Sequence, residues 1–109
     1  MEDLEEFIKE TRKPIRDLCL KYIDEFKGGI RSHPSKQKEP NGLRLHTVQV
    51  IKKALELNQI FDRKEIIETC LVHDLKHWKS FPLNECQKIA IMVTKGLPWE
   101  KWRPTKCYK

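Results

Sequence analysis

No stretch of the 109 residues approaches the ~20 consecutive apolar residues that a bilayer-spanning helix needs. The N-terminal segment MEDLEEFIKE is acidic and broken by charge, which excludes a secretory signal there and points to the cytoplasm. None of the four cysteines, Cys19, Cys70, Cys86 and Cys107, stands in a CxxC or other close pair, so zinc-finger spacing is missing. Cys19, Cys70 and Cys86 fall in apolar helical patterns and read as free buried thiols. No alternating strand pattern and no internal repeat occurs, which removes sheet and solenoid folds from consideration. No aspartate follows Asp74; Glu85 and Glu100 are the only acidic residues beyond it.

What remains is helical. Leu4, Phe7, Ile8 and Thr11 recur at helical spacing over residues 3–12. Pro14 opens or kinks a second segment, with Ile15, Leu18, Cys19, Tyr22, Ile23 and Phe26 on one face and Gly28-Gly29 as its stop. Residues 28–42, GGIRSHPSKQKEPNG, read as a long loop. The next helix spans 43–58, with Leu43, His46, Val50, Ala54 and Leu57 on one stripe. Asp62 and Glu65 form a capping-box pattern that opens a helix expected to end near Trp78. The last helix runs from about Leu83 to Lys95, with Leu83, Cys86, Ile89, Ala90 and Val93 inward and Gly96 as its stop. Residues 96–109 form an irregular tail carrying Trp99, Trp102 and Tyr108. Those aromatics either fold back over a small core or stack on nucleic-acid bases. The expectation is one all-α domain over residues 1–109, about five helices in a compact bundle.

Three ionisable residues interrupt the apolar rows. His73 stands seven residues after Ile66, and Asp74 seven after Ile67, nearly two helical turns in each case. His46 shares its stripe with Leu43 and Val50. Buried charge is costly unless paired or metal-bound. Imidazole and carboxylate together suit a divalent transition metal, while a hydrogen-bonded His-Asp pair that fixes helix packing accounts for the same spacing.

The segments GLRLHTVQV (42–50) and CLVHDLKHW (70–78) resemble the HD-domain superfamily of metal-dependent phosphohydrolases. That superfamily is all-α and carries a histidine on one helix, an adjacent His-Asp on the next and a later aspartate. The resemblance covers roughly residues 15–100 and implies His46, His73 and Asp74 as ligands of a divalent metal ion, a transition metal or magnesium. Such an ion supplies Lewis acidity for attack on phosphorus. His73, Asp74 and His77 are the implied catalytic residues. His77 stands where many members have a phosphate-contacting lysine, and Lys76, Lys79 and Arg44 are candidates to neutralise phosphate. The sequence departs from the family in lacking the later aspartate.

The net charge of +6 suits an anionic partner, a phosphate-containing small molecule or nucleic acid, and a lysine-rich solvated surface suits it equally. The expected activity is hydrolysis of a nucleotide or nucleic-acid phosphoester. The alternative is a catalytically impaired module of the same fold that binds a nucleotide, nucleic acid or protein. A helix-turn-helix DNA-binding domain fits the charge but leaves His73-Asp74 unexplained. No membrane partner is expected, and an oligomer is left open.

Overall fold

The computed structural model describes residues 2–29, 40–58 and 60–95. Most of the expected loop over 28–42 and the tail over 96–109, with Glu100 and its aromatics, lie outside the described residues. Within them the chain forms five α-helices and no strand, as the periodicity predicts.

Helices α1 (Glu2–Lys9) and α2 (Lys13–Lys21) are short. Leu4, Ile8, Ile15 and Cys19 are fully buried, so each helix turns its apolar stripe onto the core. Pro14 lies in the first turn of α2, where its fixed φ suits a helix start. The single segment expected from Pro14 to Gly28 is divided at Tyr22, and a 3-10 turn over Ile23–Lys27 carries Phe26 into the core.

The chain re-enters at Asn41, whose φ of 57° is left-handed, a conformation asparagine tolerates. Its N–H donates to Lys27 O at 2.8 Å, and Leu43 N–H donates to Gly28 O at 3.0 Å. These two bonds fix the start of α3 (Gly42–Leu57) against the end of the 3-10 turn. Thr47 of α3 is fully buried, and its hydroxyl has no hydrogen-bond partner. Thr47→Val should therefore stabilise the fold by about 1 kcal/mol, because it removes an unsatisfied polar atom at similar volume. Urea unfolding checks this.

Helix α4 (Arg63–Val72) begins as expected, with Asp62 accepting from Glu65 N–H at 3.2 Å. The reciprocal half of the capping box does not form: Glu65 accepts instead from Asn84 Nδ2 at 2.9 Å. The helix expected to continue to Trp78 stops at Val72. The Lys76 N–H, which a continuing helix would direct to Val72 O, donates to Glu25 Oε1 at 2.9 Å. Tight bonds from Leu75 N to Val72 O and from Trp78 N to Leu75 O carry the chain into a 3-10 turn at Trp78–Ser80. Helix α5 (Glu85–Thr94) opens on a complete capping box between Asn84 and Gln87. Ala90 and Val93, expected inward, are exposed, and Ile91 is the fully buried residue of α5 instead.

One tie between these elements is polar. Glu68 of α4 is fully buried. Its carboxylate accepts from Arg12 N–H at 2.9 Å, from the Arg12 guanidinium at 3.0–3.2 Å and from Gln87 Nε2 at 3.0 Å. Burial works to raise its pKa, but these donors outweigh burial and hold it below the ordinary value. The network joins the α1–α2 corner, α4 and α5.

Candidate metal centre

The break after Val72 shapes the site. His73 caps the C-terminus of α4 and Asp74 lies in the turn beyond, so neither sits inside a helix as the sequence suggested. From α3, His46 meets them. His46 Nε2 lies 3.3 Å and His73 Nε2 3.1 Å from the same oxygen, Asp74 Oδ2. The two imidazole centroids are 6.0 Å apart. One ligand atom from each of the three residues falls within 4.8 Å of the others.

His73 Nδ1 lies 2.6 Å from Cys70 O. A carbonyl only accepts, so Nδ1 carries the proton, and a neutral His73 presents a lone pair at Nε2. That lone pair faces Asp74 Oδ2, which is buried and has no hydrogen-bond donor. A lone pair and a carboxylate oxygen at this separation repel unless a proton or a cation stands between them. For His73, burial opposes the charged form, but the Asp74 carboxylate and the Cys70 carbonyl outweigh it and hold the pKa above the usual imidazole value. For Asp74, burial pushes the pKa up, but His73, His46 and Lys95 together hold it below the usual carboxylate range. The arrangement fits a divalent cation: two imidazole nitrogens, one anionic oxygen, and a second bond that fixes one ring's tautomer.

Comparison with known proteins finds no matching family model, curated protein or solved structure. The chemistry of the site therefore rests on its own atoms.

The remaining candidates lie outside the three-residue cluster. The exposed His77 packs its ring against Tyr22, with centroids 5.2 Å apart and planes tilted by 36°. Lys76 is exposed, and its backbone serves the Glu25 bond that ends α4. Arg44 pairs with Glu5 of α1. Lys79 places Nζ 5.7 Å from the Trp78 ring centroid. Glu85 is exposed at the first turn of α5, the end remote from Lys95. Lys95 was not singled out by the sequence. It caps the C-terminus of α5, places Nζ 6.0 Å from the same Trp78 ring, and its charge acts on both Asp74 and His73. No sequence signal marks it, because only the fold brings the end of α5 to the turn after α4.

Two cysteines match the free-thiol expectation. Burial pushes Cys19 to about 12, aided by the Glu68 carboxylate, and Cys70 to about 11. Burial thus disfavours the reactive thiolate form of both. Cys86 departs from that expectation, being disulfide-bonded.

Proposed function

We propose that the chain is an HD-type metal-dependent phosphohydrolase acting on a nucleotide or nucleic-acid phosphoester. The observation that carries this reading is the convergence of one ligand atom each from His46, His73 and Asp74 on one point. The net charge of +6 and the resemblance of residues 42–50 and 70–78 to the HD superfamily agree with it.

In this reading His46 and His73 offer neutral imidazole nitrogens and Asp74 offers a carboxylate oxygen. A divalent cation held there supplies Lewis acidity toward water and phosphorus. Cys70 O keeps the His73 proton on Nδ1, so Nε2 remains a donor of electrons. Asp74 contributes the one negative charge of the cluster.

The donor count favours a second reading. Among the described residues the group contains three ligands and no fourth His, Cys, Asp or Glu. A module with that set can bind a cation and a phosphate-bearing partner without turning it over.

The test is hydrolysis of bis-p-nitrophenyl phosphate and of a nucleoside monophosphate by the full chain with Mn2+. Turnover should require Mn2+, cease with a chelator and fall at least about a hundredfold in kcat/KM for His46→Ala. Binding of Mn2+ with no turnover of either ester would instead support the non-catalytic module.

A further inference from the structure

We infer that the C-terminal segment, residues 96–109, folds back along α5 and fills an apolar groove between α4 and α5, held there by a disulfide between Cys86 and Cys107. None of these residues belongs to the metal cluster, so the inference stands apart from the reading of that site.

The groove has a volume of about 360 Å3. Phe61, Ile66, Cys86, Ile89, Ala90 and Val93 line it. Phe61 is 52% exposed, Val93 is 49% exposed, and Ala90 is exposed beside them. Apolar side chains left open around one groove mark a surface that something covers. Ala90 and Val93 are also residues whose spacing predicts an inward face, and a covered groove makes that face inward.

The cysteines name the occupant. Cys86 is disulfide-bonded, whereas Cys19 and Cys70 are free. The sequence holds four cysteines, which leaves Cys107 as the partner. That bond brings the segment to a residue that itself lines the groove. The length suits this return. Lys95 caps α5, and Cys107 stands twelve residues beyond it. The way back from Lys95 to Cys86 is about 14 Å along a helix that rises ~1.5 Å per residue. Twelve residues extend to roughly 40 Å, so the chain has slack to cross the groove before it reaches Cys86. Cys86, Ala90 and Val93 follow one another at four and three residues, which sets them on one stripe of α5 along that path.

Composition agrees. The segment carries Leu97, Trp99, Trp102 and Tyr108. So short a stretch cannot build a core of its own around such side chains, and burial against an apolar wall favours docking. Its cations Lys101, Arg103, Lys106 and Lys109 outnumber Glu100, and Glu65 lies on the groove wall. Closing the disulfide removes two protons and two electrons from the two thiols. A low-molecular-weight disulfide such as oxidised glutathione accepts them: the Cys86 thiolate attacks it and releases one glutathione thiolate, and the Cys107 thiolate then displaces the second.

The experiment equilibrates the full chain with a glutathione redox buffer, quenches free thiols by alkylation and reads the products by mass spectrometry. The wild type should show a Cys86–Cys107 link at the mass of one chain, with Cys19 and Cys70 alkylated after unfolding. The position of the equilibrium gives the effective concentration of one thiol at the other. Trp99→Ala combined with Trp102→Ala should lower it at least about tenfold, and Val93→Ser about threefold, because less apolar surface is buried on docking. Leu20→Ser, an exposed apolar position on α2, should leave it unchanged. An equilibrium that the tryptophan pair does not alter would overturn the inference, since a segment tethered by its sulfur alone needs no groove. An equal loss in Leu20→Ser would overturn it as well. So would a link between two chains, glutathione left on Cys86, or both cysteines remaining thiols under excess oxidised glutathione.

Discussion

Asp74→Asn is expected to weaken Mn2+ binding by at least about a hundredfold while leaving the protein folded. The carboxylate is the only anionic ligand in the cluster, and a carboxamide oxygen is a much poorer donor to a hard or borderline cation. The same change suits the metal-free fold. Asp74 Oδ2 faces His73 Nε2 at 3.1 Å and His46 Nε2 at 3.3 Å. An amide nitrogen placed there donates a hydrogen bond to a neutral imidazole, where the carboxylate repels its lone pair. The melting temperature without metal should therefore hold or rise above neutral pH. Stability gained on adding Mn2+ should disappear, because binding to the native state is what raises it. If the pair served only packing, Mn2+ would raise the melting temperature of neither protein. Thermal unfolding with and without Mn2+ separates the two accounts.

Arg12→Ala should cost about 3 kcal/mol. The guanidinium is 47% exposed, which keeps the figure at the low end for a broken buried pair, but Glu68 is fully buried and would lose its charge partner. For a domain of this size the melting temperature should fall by on the order of 10–20 °C. The pH dependence follows from the depressed pKa of Glu68. A carboxyl held below its unfolded value of about 4.5 contributes stability that is complete above that pH and is lost as pH falls through the folded pKa. The wild type should thus lose stability progressively below about pH 4.5, and Arg12→Ala should show a shallower loss. Denaturant midpoints measured from pH 3 to pH 7 check both. An Arg12→Ala protein as stable as the wild type, with the same acid slope, would remove the network from the account.

The helices were legible because their apolar spacing is regular, and the number of five follows from it. His46, His73 and Asp74 were legible for the same reason: an ionisable residue on an apolar row must be satisfied by something. The end of α4 was not. Residues 70–78 keep a helical apolar period, and what stops the helix is Glu25, 51 positions from Lys76, claiming its backbone amide. That long-range bond turns His73-Asp74 from a helix face into a helix end and lets Asp74 reach both imidazoles. Glu68 was passed over although it stands four residues before the buried Val72, an alignment that marks it as inward. Its partner Arg12 lies in a corner between two short helices, where no periodicity operates. Lys95 reads as an ordinary helix-end lysine until the fold sets it against Trp78.

Elemental analysis bears most directly on the metal centre. The full chain is stripped with a chelator, dialysed against micromolar Mn2+ and compared with Asp74→Asn treated alongside. The wild type should retain about one ion per chain and Asp74→Asn almost none. Wild-type protein with no metal above the dialysis buffer, or equal metal in both proteins, would contradict the assignment of His46, His73 and Asp74 as a cation site.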